Sequence, residues 1–146
     1  MRLDPFIATH PIDIDTLITS IAGDVRGGDV VVDIGSGDGA IIQRLREQLG
    51  TISIIGLECE AALVQSARSR FADDARVSIR QCDAMAVSWA EFDVLVMSVT
   101  RDHALTVLEK FERELEAASR PRLLALFIGA FVWMIRRVAV TPPQLW

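Results

Sequence analysis

Residues 30–39 read VVVDIGSGDG, and residues 40–50 continue AIIQRLREQLG. Val30 to Val32 are β-branched and apolar, the composition of a buried strand. The strand runs into Gly35, Gly37 and Gly39, three glycines at alternate positions, and a helical pattern begins at once. Glycines let the chain reverse sharply and let a ligand approach the backbone without a Cβ in the way. The helix start that follows offers unpaired N–H groups. A strand, a glycine turn and a helix in that order build a nucleotide-type ligand site.

Outward from this stretch the chain alternates. Upstream, His10-Pro11 leads into an amphipathic helix with Ile14, Leu17, Ile18 and Ile21 on one face, closed by Gly23 and the pair Gly27-Gly28. Residues 1–11 before it read as an N-terminal arm. Strands are expected at 29–34, 52–57, 77–82, 92–97 and 123–128, with a sixth near 132–140. Helices are expected at 39–49, 60–71 and 102–118. Strands alternating with helices at this spacing predict βαβ units in one α/β domain, 1–146: a Rossmann-like, doubly wound, mostly parallel sheet. In such sheets ligands sit beyond the carboxyl ends of the strands, at the point where strand order reverses.

The composition suits that architecture. Hydrophobic residues make up 51% of the 146, enough to cover a sheet on both faces. The net charge of −5 provides no general attraction for nucleic acid. Cys59 and Cys82 fall at the ends of two expected strands without metal-ligand spacing, so they are expected to be small buried residues in a reducing, cytoplasmic setting, and no metal site is expected. The opening MRLDPFIATHP lacks the apolar core of a signal peptide. The apolar run 123–135 is shorter than the ~20 residues a spanning helix needs, so no membrane insertion is expected.

The carboxylates select among ligands. Gly35, Gly37 and Ala40 also fit a loose dinucleotide pattern, which admits a nicotinamide cofactor. Glu58, at the end of the second strand, could accept hydrogen bonds from ribose hydroxyls of either ligand. Asp33 before the first glycine and Asp83 after the third strand add negative charge, which repels a pyrophosphate. A ligand with a ribose, a neutral adenine, an ammonium and a sulfonium suits that charge: S-adenosyl-L-methionine.

These residues resemble the class I S-adenosylmethionine-dependent methyltransferases over nearly the whole chain. VVDIGSGDG looks like the first motif of that family, GLE at 56–58 its acidic strand end, QCDA at 81–84 its adenine-side acid, and FDVLVM at 92–97 the strand beside the methyl group. The resemblance implies that the backbone of Gly35, Gly37 and Gly39 packs on the methionine part and that Asp33 holds its ammonium, directly or through water. It also implies that Glu58 binds the ribose and Asp83 the adenine amine. Ser36, Asp38, Cys59 and Ala84 complete the expected cofactor-binding set, with helix capping as the alternative role for Asp38.

A narrower resemblance is to the small protein-lysine methyltransferases, carried by SGDGAII, LEKFEREL at 108–115 and the apolar strand leading to Trp133; Phe6, Thr9 and Pro11 are similar to their N-terminal arm. It implies a protein substrate, with a lysine ε-amine placed beside Ser98, Val99 and Thr100 and its stem against Phe127 and Trp133. Ser98, Thr100 and Trp133 are therefore the expected acceptor-side residues. The family pattern usually finishes in an aromatic, acidic last strand. Here the sequence reads TPPQLW and has no Tyr, so either that strand is missing or residues 131–141 take its place. An unpaired apolar edge there predicts dimerisation. Phe127 reads as core, His103 as a first-turn helix residue, and the charges of 108–120 as a solvated face with i,i+4 pairs.

Three other readings stand beside this one: a small-molecule acceptor, a truncated non-catalytic cofactor-binding or interaction module, and a nicotinamide-binding domain. A nucleic-acid acceptor is disfavoured. The fourth strand ends in MSVT, without the Asn/Asp-Pro-Pro-aromatic tetrapeptide of enzymes that methylate base amines.

Overall fold

The computed structural model describes residues 10–129 and 131–137. Its elements are α1 (Pro11–Ile21), β1 (Val30–Ile34), α2 (Ala40–Gln48), β2 (Ser53–Glu58), α3 (Ala61–Arg70), β3 (Val77–Gln81), β4 (Val94–Ser98), α4 (Arg101–Ala117), β5 (Leu123–Ile128) and β6 (Phe131–Arg136). The strands form one six-stranded sheet in the order β3-β2-β1-β4-β5-β6. All neighbours are parallel except β5 and β6, which form an antiparallel hairpin. The expected α/β architecture is observed, and residues 131–136 occupy the place beside β5. The part of the expected sixth strand at 138–140 lies outside the described residues, as do Phe6 and Thr9.

Two apolar layers sandwich the sheet. On one face α1, α2 and α3 pack Ile14, Leu17, Ile18, Ile42, Leu45 and Val64 onto Val31, Ile54, Val94 and Ala125. On the other, α4 packs Ala104, Val107 and Phe111 onto Val32, Leu95, Leu124 and Leu126. Because side chains alternate along a strand, these near-continuous apolar runs serve both layers. α1 starts where the sequence indicates: Pro11 occupies a first-turn position and the His10 ring accepts the Ile12 N–H at 3.2 Å.

Strand ends shift by one or two residues from expectation, and two shifts matter. β2 extends to Glu58 and β4 to Ser98, so both polar side chains are held by ladder residues rather than by loops. Between β3 and β4 the chain crosses without a helix, and the irregular stretch 82–93 is anchored from α4. There Glu114 accepts the Trp89 backbone N–H (3.0 Å) and pairs with Lys110 (3.1 Å), whose ammonium lies 4.8 Å from the Trp89 ring centre. This corrects the expectation of a wholly solvated charged face on α4. Lys110 is 7% exposed, because its stem and charge cover an indole that an exposed helix face would lack.

Candidate functional site

β1 lies between β2 and β4, so strand order reverses beside it, and the glycine turn leaves its carboxyl end at that point. Gly35, Gly37 and Gly39 all have positive φ, of 71°, 57° and 94°. Side-chain-bearing residues rarely adopt that region, so the glycines are required by the path of the chain. The turn is pinned to β2: the Gly35 and Ser36 N–H groups both donate to the Leu57 carbonyl (2.8 and 3.1 Å), and the Gly37 N–H donates to Glu58 Oε1 at 3.0 Å. Glu58 Oε2 accepts the Glu60 N–H at 2.8 Å. The Glu58 carboxylate therefore ties the turn to the start of α3, and it is buried.

Asp33 is the unusual member. It is 1% exposed, and neither carboxylate oxygen has a hydrogen-bond partner among the described residues. The buried Ser36 hydroxyl is also without one. Burial, reinforced by the nearby Glu58 charge, pushes the Asp33 carboxyl up to about 8. Leaving buried polar atoms unmatched costs roughly 1–3 kcal/mol each. Such a cluster, directly under a glycine turn, has the acceptor set that a cationic, hydrogen-bonding group would complete. The ammonium of an amino-acid moiety satisfies both oxygens at once, so the residues present fit the expected cofactor.

Gly56, read in the sequence only as part of the acidic strand end, is a further site residue. It pairs in register with Asp33, and a Cβ there would lie 2.7 Å from Ser36 Oγ, 2.8 Å from Ile42 Cδ1 and 2.9 Å from Ile79 Cδ1. Its missing side chain is what seats the turn on the sheet. The sequence signal was a glycine inside a strand pattern, which marks close backbone approach.

Just past β3, Asp83 Oδ1 accepts the Met85 N–H (2.9 Å), and the Trp89 indole N–H donates to the Ala84 carbonyl (3.0 Å). Trp89, fully buried, thus holds the expected adenine-side pair Asp83 and Ala84 in place. Asp38 makes a 3.6 Å ion pair with Arg70 of α3. The capping alternative is not realised: Gly39 occupies the N-cap position of α2 and no side chain caps it. Cys59 is exposed and Cys82 half-buried, correcting the expectation that both are buried, because β2 and β3 end before them.

The acceptor-side residues are only partly gathered. Ser98 is exposed at the last position of β4, in register with buried Phe127, which is core as expected. Thr100 occupies the N-cap position of α4, with its hydroxyl 3.2 Å from His103 Nδ1. Trp133 stands apart. It pairs with Leu126 on the α4 face of the edge strand and is 57% exposed, whereas Ser98 and Phe127 lie on the opposite face. Among the described residues no group of three or more His, Cys, Asp or Glu side chains is placed to hold a metal ion, and no helix is long and apolar enough to cross a membrane.

Residues 31–122 match the family described as "Methyltransferase domain". The chain is similar to a ribosomal protein L11 methyltransferase of Exiguobacterium (27% identity, 95% of this chain, 44% of that protein). It is also similar to a ribosomal RNA small subunit methyltransferase A of Prochlorococcus marinus (30% identity, 92% of this chain, 50% of that protein). It therefore spans about half the length of the curated relatives it matches. Among solved structures it is similar to an RNA methyltransferase of Salinibacter ruber in complex with S-adenosyl-L-homocysteine, with a TM-score of 0.69, 22% identity, and 95% of this chain against 99% of that one. That likeness is one of fold.

Proposed function

Given that the chain belongs to the methyltransferase domain family, with S-adenosyl-L-methionine as its methyl donor, we propose that it methylates a nitrogen of a protein side chain, a lysine ε-amine. The single observation that carries the cofactor half is the buried, unpartnered carboxylate of Asp33 beneath the glycine turn. Asp33 would hold the ammonium, with the Ser36 hydroxyl beside it. Glu58 keeps lone pairs available for ribose hydroxyls while its two oxygens fix Gly37 and Glu60. Asp83 would take the adenine amine, with Ala84 held next to it by Trp89. Asp38, in the glycine turn, and Cys59, directly after β2, would complete the cofactor-binding set.

The cofactor supplies a methyl group already activated by its sulfonium, so the chain mainly positions the acceptor and excludes water. A lysine with a reference pKa of about 10.4 must lose its proton before it attacks. Desolvation favours that neutral form without a dedicated base. Ser98 and Thr100, at the end of β4, would accept a hydrogen bond from the acceptor nitrogen and orient its lone pair. Trp133, on the other face of the sheet, is left outside this immediate set.

A second reading, an RNA base as acceptor, is favoured by the small-subunit RNA methyltransferase relative. Against it stand the Ser98-Val99-Thr100 strand end and the net charge of −5. Incubation of the protein with isotope-labelled cofactor and ribosomal subunits discriminates them. Label released by protease and retained after nuclease supports the lysine reading; label released by nuclease overturns it.

A further inference from the structure

Cys59 and Cys82, the two cysteines of the chain, directly follow β2 and β3. Those strands pair in parallel with Glu58 opposite Gln81, so the next step of register sets Cys59 opposite Cys82. The last ladder bond, from the Cys82 N–H to the Glu58 carbonyl (3.0 Å), holds Cys82 beside the end of β2, and the Gln81 side-chain amide donates to the Cys59 carbonyl (3.4 Å). Neighbouring strands lie about 4.8 Å apart. That is within the Cα separation of about 4.4–6.8 Å that a disulfide spans. Burial, opposed by Arg80 and reinforced by Asp83 and Cys59, pushes the Cys82 thiol up. Each also adjoins a carboxylate of the cofactor cleft, Glu58 in one case and Asp83 in the other.

We propose that Cys59 and Cys82 form a reversible disulfide, installed by a small disulfide oxidant such as glutathione disulfide, which lowers affinity for the adenosine end of the cofactor. The coupling rests on the reading that these strand ends receive adenosine. Exposed Cys59, as thiolate, attacks one sulfur of glutathione disulfide, forming a mixed disulfide and releasing one glutathione thiolate. The Cys82 thiolate then attacks the Cys59 sulfur, closing the Cys59–Cys82 bond and releasing the second glutathione. The two cysteines are oxidised, the oxidant is reduced to two thiols, and these take up the two protons the cysteines gave up. Glu58 and Glu60 flank Cys59 and are joined by the Glu58 Oε2 hydrogen bond, so fixing the Cys59 side chain to Cys82 constrains the backbone that carries the ribose-side carboxylate.

The test treats the full chain with glutathione disulfide. Intact mass after thiol alkylation and calorimetric titration with S-adenosylmethionine are then measured, with Cys82→Ser alongside. The wild-type protein is expected to lose the mass of two hydrogens and both alkylatable thiols. Its cofactor affinity should fall at least roughly tenfold and recover with dithiothreitol. Cys82→Ser should bind the cofactor like reduced wild type and carry a glutathione adduct in place of a bridge. Two persistent thiols in the wild type, or a bridge with unchanged affinity, would overturn the proposal. Reduced wild type that fails to bind the cofactor would overturn the adenosine reading and the coupling with it, while the mass measurement still decides whether the bridge forms.

Discussion

Asp33 pits stability against binding. Its folded carboxyl, pushed up to about 8 by burial and Glu58, keeps a proton that the unfolded chain releases near 3.8. Stability falls with rising pH wherever the native state binds the extra proton, so between those two values Asp33 weakens the ligand-free protein progressively. Asp33→Asn should therefore raise Tm by several degrees near pH 8, read by scanning calorimetry without ligand, and should also abolish cofactor affinity. The same linkage fixes the pH dependence of binding. An ammonium requires the ionised carboxylate, so affinity should climb as pH rises toward about 8 and level off above it, with proton release on binding at lower pH. Titrations in buffers of different ionisation enthalpy measure that release; affinity independent of pH would contradict it. Position 33 was legible in the sequence, because an acid just before the first glycine has no reason to be there in a purely apolar strand. Its lack of partners was not, since that depends on what β2 and β4 place around it.

The elements holding the site differ in how much of them the sequence revealed. Strand and helix types were legible throughout, because apolar runs ended at glycines and polar steps and helical periodicity resumed after them. What a local pattern cannot carry is contact across the sheet. Gly56 matters only because Ser36, Ile42 and Ile79 converge on it from three other elements. Gly56→Ala should cost roughly 1–3 kcal/mol in chemical denaturation and weaken cofactor binding, as an overpacked contact beneath the turn. Lys110 looked solvated because its partner Trp89 is distant in sequence. Trp89, which the sequence reading did not single out, and Trp133, which it placed beside the acceptor, are separated by burial. Trp89→Ala should destabilise by roughly 3–5 kcal/mol through cavity formation. Trp133→Ala on the exposed edge strand should stay within about 0.5 kcal/mol of wild type. Equal losses at the two positions would refute the arrangement of the α4 layer.

Across the whole molecule, the two ends of the sheet do different work. At the carboxyl end of β1, the buried Asp33 carboxylate has no partner among the described residues. At the opposite ends, acids are already satisfied: Arg122 pairs with Asp29, Arg136 with Asp24 and Arg120 with Asp93, joining the start of β1 to β4, β5 and β6. A hydrogen bond from Arg136 holds the Asp24 carboxyl below its usual range. Burial alone would raise Asp29, but Arg122 and the Arg26 N–H more than offset it and hold that carboxyl low as well. Carboxyls depressed in the folded state add stability above their unfolded value, which is lost as pH falls through their folded values. Arg122→Ala should thus cost most near neutrality and progressively less below about pH 4, a convergence visible in Tm measured against pH.

If Asp33, the glycine turn and Glu58 form the S-adenosylmethionine site, calorimetric titration of wild type and Asp33→Ala will distinguish the two proteins. Saturable one-to-one binding to the wild type is expected, with none to the folded variant and none of NADH to either. Equal affinity in wild type and variant, or binding of NADH in place of S-adenosylmethionine, would contradict that assignment.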